Sequence, residues 1–161
     1  MLEKGLDIFA EVARELTRRG VPHKVLVVGE GPARDWFAER APDAIFTGFQ
    51  SGADLGRAVA SMDVFFNPSV TETFGNVTSE AMACGVPVVA ARATGAMDLV
   101  VEGETGFLVP PRDVTAYPAS IQRLAPHPAV PRPPAAARHP PPPAPRRPPA
   151  PPAAPRPPPG A

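Results

Sequence analysis

Nineteen of the chain's 26 prolines lie beyond Asp113, and that asymmetry decides where a core can form. Proline lacks a backbone N–H, so it breaks helix interiors and is kept out of central strands. From Val114 onward the chain is dominated by Pro, Ala and Arg, with six Arg and no acidic residue. Such a segment has too little large apolar surface to build a core of its own. Residues 116–161 are therefore expected to be a disordered, polyproline-like tail. Its first turns, Val114 to Leu124, still read as a helix, which Pro126, Pro128 and Pro131 stop. The abrupt change between Tyr117 and Ala125 also has the character of a reading-frame shift. Residues 1–113 hold all 16 acidic residues against ten basic ones, a net of −6, so the zero net charge of the whole describes neither part. About 115 residues suffice for one small domain.

Within residues 1–115, amphipathic stretches alternate with short apolar runs. Gly5 to Arg19 carries Leu6, Ile8, Phe9, Val12, Ala13 and Leu16 at helical spacing, and Gly20 with Pro22 ends it. Lys24 to Val28 is a continuous apolar run of the kind found in strands covered on both faces. A second helix is expected after Pro32, through Trp36 and Phe37, a strand at Ile45 to Thr47, and a helix from Asp54 to Ser61. Further strands are expected at Val64 to Asn67, Pro87 to Ala90 and Gly106 to Val109, with a helical turn or two over Ala96 to Val101. Helices between apolar strands imply right-handed crossovers. The fold class is therefore α/β, a Rossmann-like parallel sheet with helices on both faces.

Cys84 is the only cysteine, which excludes an intrachain disulfide and suits a cytoplasmic protein. No apolar run approaches the roughly 20 residues of a membrane span, and no stretch reads as a signal peptide. Nothing marks a nucleic-acid partner. Gly29 and Gly31 resemble a dinucleotide fingerprint only in part, because Arg34 stands where the third small residue is needed. His23, His127 and His139 have no ligand spacing, so no metal or other cofactor is implied. Cys84 has no neighbouring His and reads as a packed side chain.

The stretch Glu72 to Pro87 is different. It sets one carboxylate before a Gly75-Asn76 turn and a second, Glu80, eight positions later in a helix that Gly85 ends. The start of that helix offers free N–H groups and a positive dipole end, which suit a phosphate. With about 100° per residue, Val77, Ala81 and Cys84 are expected on the buried stripe, and Glu80 on its border beside Asn76. A carboxylate there calls for a donor such as a ligand hydroxyl; the plainer reading is a local pair for Glu80 and an ordinary loop acid at Glu72.

These residues, with Glu3-Lys4-Gly5-Leu6-Asp7, Val28-Gly29-Glu30-Gly31-Pro32, Phe46-Thr47-Gly48, Pro68-Ser69 and Gly103 to Val109, resemble a known family. The chain is similar to the C-terminal, donor-binding half of retaining glycosyltransferases of the GT-B type, family four, over residues 1 to about 115. The wording around Glu72 is most similar to the mannosyl- and sulfoquinovosyl-type lipid transferases, with a donor such as GDP-mannose.

The resemblance implies that Glu72 faces hydroxyls of the donor sugar and holds the catalytic position, and that Glu80 holds the ribose hydroxyls. It implies that Phe74, Gly75, Asn76 and Val77 meet sugar and diphosphate, that Lys4 neutralises the phosphates, and that Phe49 and Gln50 lie against the base. The partner would be a nucleotide-sugar donor, with the acceptor, a lipid or glycan, bound by an N-terminal domain that residues 1–161 lack; the full-length relatives would work at the membrane periphery. Relatives place a strand and a phosphate-binding arginine before the Lys4 motif, so a gap is expected between the remaining strands. The isolated chain is expected to be poorly stable and catalytically silent. The other class is a non-catalytic remnant or a tail-mediated binding protein. Arg146, Pro149 and Pro152 match an SH3-ligand spacing, which chance supplies in so proline-rich a tail, so no such partner is implied.

Overall fold

The computed structural model describes residues 5–71, 76–93 and 95–125. The elements run α1 (Leu6–Arg18), β1 (Leu26–Val27), α2 (Arg34–Arg40), β2 (Ile45–Phe46), α3 (Gly52–Ala60), β3 (Phe65–Asn67), α4 (Asn76–Ala83), β4 (Val88–Ala91), β5 (Gly106–Val109) and α5 (Ala116–Leu124). All strand pairs named here are parallel, as the helical crossovers require. The strands fall into two sheets, β1 with β2, and β3, β4 and β5 in that order. The expected gap thus lies between β1 and β3.

Three apolar clusters hold these layers. On one face of the larger sheet Val59 of α3 and Ala81 and Met82 of α4 pack against Val88 and Ala90 of β4. On the other face Ile8, Val12 and Leu16 of α1 meet Val89, Val109 and Tyr117 of α5. A third cluster joins Ala10 of α1 and Phe37 of α2 to Val25, Val27 and Phe46. β4 is buried along its whole length, which explains its unbroken Val-Val-Ala-Ala run. β1 is only half-buried, so the expectation that Lys24 to Val28 is covered on both faces is corrected. Val27 packs in the third cluster with Phe46, whereas Ile45, the register partner of Leu26, is 52% exposed.

Ala96 to Val101 forms the turn or two expected there, closed by bonds such as Val100 N–H to the Ala96 carbonyl at 2.9 Å. The packed chain also runs past the expected boundary at 115, because α5 carries Tyr117 into the core. Pro118 costs α5 little, since the first helical turn has no intrahelical acceptor for its N–H groups. Asp113 caps that turn: its Oδ1 accepts from Thr115 N at 3.1 Å, Ala116 N at 3.0 Å and the Thr115 hydroxyl at 2.8 Å. The Thr115 hydroxyl first, and then the Ala116 amide, hold the Asp113 carboxyl below the usual carboxylate range. A depressed folded value means the cap stabilises above the ordinary carboxylate pKa and is lost as pH falls through the folded one. Asp113→Ala is expected to lower the thermal midpoint at pH 7 and to flatten the acid limb of stability, measured by circular dichroism from pH 7 to 2. An unchanged acid limb would show that the cap carries none of it.

Candidate functional site

In parallel α/β sheets, ligands bind outside the carboxyl ends of the strands. Two of the loops at those ends stand side by side. After β1 comes Val28 to Gly31 and after β2 comes Thr47 to Gln50, and they meet where Gly29 N–H donates to the Gly48 carbonyl at 2.9 Å. Gly29 and Gly48 both have positive φ, 121° and 71°. The turn after β2 is fixed further by Gln50, whose Nε2 donates to the Thr47 carbonyl at 2.9 Å. That bond leaves the neighbouring Phe49 ring pointing outward, 74% exposed. An aromatic ring in water at a strand end is available for stacking on a flat, apolar group.

The third loop leads from β3 to α4. At its start the Asn67 side chain works in two directions: Oδ1 accepts from Ser69 N at 3.1 Å, and Nδ2 donates to the Thr78 hydroxyl at 3.4 Å. The first bond turns the chain away from the sheet at Pro68, and the second holds α4 by its first turn. Both residues escape a reading of periodicity, because a polar residue inside an apolar pattern looks like noise. The recoverable signal is Asn67 at a strand end just before Pro68, eleven positions ahead of a Thr in a helix start.

Thr78 also corrects the expected orientation of α4. It is fully buried, with Ala81 and Met82, while Val77 is 42% exposed and Cys84 only partly buried. The inward stripe is therefore Thr78, Ala81 and Met82, one position round from the expected Val77, Ala81 and Cys84. Anchoring of Thr78 by Asn67 favours that rotation, since an outward Thr78 would leave the Asn67 amide without this bond. Its consequence is that Asn76, Val77 and Glu80 all face out of the protein. Glu80 is exposed and does not border the core.

Of the residues singled out by sequence, Asn76, Val77 and Glu80 thus share the outer side of α4, and Phe49 and Gln50 share the loop after β2. Lys4, Glu72, Phe74 and Gly75 lie outside the described residues. Among the described residues, no group of three or more His, Cys, Asp or Glu stands together as a metal site, and no helix is long and apolar enough to cross a membrane.

The family model described as "Glycosyl transferases group 1" matches residues 1–127. A GDP-mannose-dependent alpha-mannosyltransferase of Corynebacterium glutamicum is 43% identical over 102 residues, covering 63% of this chain and 24% of that protein. A sulfoquinovosyl transferase of Arabidopsis thaliana is 41% identical over 128 residues, covering 76% of this chain and 24% of the relative. Among solved structures, Anabaena HepE in complex with UDP and glucose superposes with a TM-score of 0.63 at 30% identity, covering 76% of this chain and 35% of that one. The structure of TarM matches at a TM-score of 0.70 and 21% identity, covering 77% of this chain and 26% of that one, a likeness of fold. The chain thus spans about a quarter of the length of these curated relatives.

Proposed function

We propose that this chain, which belongs to the group 1 glycosyl transferases, binds the nucleotide-diphosphate sugar donor of a hexosyl transfer, with GDP-mannose as that donor. The observation that carries the reading is the outer side of α4. Its first residue, Asn76, follows the loop from β3, and Glu80 stands exposed one turn further on. Free N–H groups at the helix start favour a diphosphate, and an exposed carboxylate one turn away accepts hydrogen bonds from a pair of vicinal hydroxyls. Two kinds of relative support it: one is named as GDP-mannose-dependent, and another is solved with UDP and glucose.

In this reading the diphosphate leaves from the sugar toward the start of α4. Developing negative charge on the leaving phosphate is met by the amides there and by Lys4, with no metal required. Glu80 holds the ribose, Phe49 and Gln50 flank the base, Phe74, Gly75, Asn76 and Val77 line the sugar and diphosphate, and Glu72 orients the sugar. Transfer retains the anomeric configuration, by attack on the face from which the phosphate departs. Such transfer is expected only where an acceptor-binding domain is also present.

Calorimetric titration with GDP, GDP-mannose, UDP and UDP-glucose tests the proposal. GDP-mannose is expected to bind more tightly than UDP-glucose. Glu80→Ala is expected to weaken GDP-mannose by roughly ten- to a hundredfold, the worth of hydrogen bonds to a charged acceptor. Because Glu80 is exposed, the variant is expected to keep its thermal midpoint. Equal binding of all four compounds, or an unchanged affinity in Glu80→Ala, would overturn the assignment.

A further inference from the structure

We propose that Glu30 reads the base of the donor, its two carboxylate oxygens accepting from the N1–H and the 2-amino group of guanine. This role rests on the donor reading, in which the base lies against Phe49 and Gln50. Gly48 makes room for it. A Cβ at Gly48 would lie 3.1 Å from Glu30 Oε1, so the carboxylate rests in the space that the missing side chain leaves. Gly48 has φ 71°, a conformation that glycine adopts without strain. Its carbonyl accepts from Gly29 N at 2.9 Å, which ties the residue before Glu30 to the residue before Phe49. The carboxylate is thereby held at the carboxyl ends of β1 and β2, against the residue that adjoins Phe49, whose ring points outward.

The carboxylate is uncommitted. Among the described residues Glu30 makes no ion pair. Arg34, the nearest cation in sequence, is engaged elsewhere: its guanidinium lies 5.0 Å from the centre of the Phe46 ring and 3.8 Å from Asp35. The amide nitrogen of Gln50 is held by the Thr47 carbonyl. An exposed carboxylate with both oxygens open therefore stands beside an exposed aromatic ring.

The pattern of donors on each base decides what such a pair can hold. A carboxylate only accepts. Guanine turns two adjacent donors to it, N1–H and the 2-amino group, which two carboxylate oxygens match side by side. Uracil has one donor, N3–H, flanked by two carbonyl oxygens, and adenine has its amino group beside the N1 lone pair. Both would set lone pairs against the carboxylate. Stacking on an aromatic ring tolerates every base, so Phe49 supplies hold and Glu30 supplies choice.

Calorimetric titration of the full chain and of Glu30→Gln with GDP, IDP and UDP tests this. IDP keeps the N1–H and lacks only the 2-amino group. The parent is expected to bind GDP at least about tenfold more tightly than IDP, the worth of one hydrogen bond to a charged acceptor, and UDP more weakly than either. In Glu30→Gln the preference for GDP over IDP is expected to fall by about tenfold, because the amide keeps one acceptor oxygen and turns a donor toward the base. UDP is expected to tighten relative to GDP, since an amide matches the N3–H and O4 of uracil. Loss of a negative charge favours every diphosphate alike, so the ratios are the readout. Glu30 is exposed, and the variant is expected to keep its thermal midpoint. Equal affinity of the parent for GDP and IDP, or an unchanged ratio in Glu30→Gln, would overturn this role alone, provided that GDP binding still depends on Glu80. Failure of GDP to bind would overturn it together with the donor reading.

Discussion

Tyr117→Ala is expected to cost about 3–5 kcal/mol of stability, the range for emptying an aromatic site in a packed core. For a small domain with about 5–15 kcal/mol in hand, that is a large share. Tyr117 is fully buried and joins three elements: its ring meets Phe66 of β3 edge-on at 5.0 Å, and it shares a cluster with Ile8, Val12 and Leu16 of α1 and Val109 of β5. The neighbours are held in three separate elements, α1, β3 and β5, so no one shift brings them into the space. Urea denaturation of the two proteins measures the cost. A loss below about 1 kcal/mol would mean that α5 contributes little to the fold.

The phenol oxygen separates packing from polarity. It finds no hydrogen-bond partner among the described residues, and burial, with Asp113 nearby, pushes the hydroxyl up to about 12. Removing an unpartnered buried polar atom while keeping the ring is close to neutral or stabilising, so Tyr117→Phe is expected to match or exceed the parent at pH 7. The sign of the pH effect follows from the raised value. Between pH 10 and about 12 the unfolded chain releases the proton first, so folded stability falls with rising pH over that interval. Tyr117→Phe is expected to lose that part of the alkaline decline.

Tyr117 also shows what sequence could and could not convey. The proline excess marks a change in composition after Asp113, but composition averages over a window. It cannot register one aromatic placed at the start of the last helix, four residues after a capping Asp. The strands and helices before it were legible because apolar spacing is a local property, and Gly106 to Val109 was read to the residue. The two-sheet split was legible through the family pattern.

The rotation of α4 was not. An eight-residue helix of mostly small side chains carries little periodic signal, and a long-range bond from Asn67 decided which side faced in. The cover over Lys24 to Val28 was misjudged for a related reason. An apolar run says that a strand can be covered on both faces, whereas the cover itself depends on which helices lie over it. The residues that sequence weighted most heavily, Glu72 to Gly75, fall outside the described residues, so the candidate site rests on Asn76, Val77 and Glu80.

Gly106→Ala is expected to be as damaging as the loss of the Tyr117 ring, although it adds a single methyl group. Gly106 is the register partner of Val88 in the β4–β5 ladder. A Cβ at Gly106 would lie 1.9 Å from the Val88 carbonyl oxygen, 2.8 Å from its carbon and 3.0 Å from the Val88 nitrogen. All three are backbone atoms of a strand buried on both faces, so no rotamer change relieves the contact. Either β5 withdraws from β4, breaking bonds such as Val88 N–H to the Thr105 carbonyl at 3.1 Å, or the larger sheet deforms under both helix layers. Overpacking that side chains can absorb costs about 1–3 kcal/mol; a backbone obstruction is expected at or above the top of that range. Gly56→Ala supplies the contrast. Gly56 lies inside α3 with open space around its would-be Cβ, so alanine there is expected to stabilise by about 0.5–1 kcal/mol, through better helix propensity and a less flexible unfolded chain. Urea midpoints of the two variants should move in opposite directions from the parent, and a Gly106→Ala chain as stable as the parent would mean that β5 does not lie against β4 in the register Val88 to Gly106.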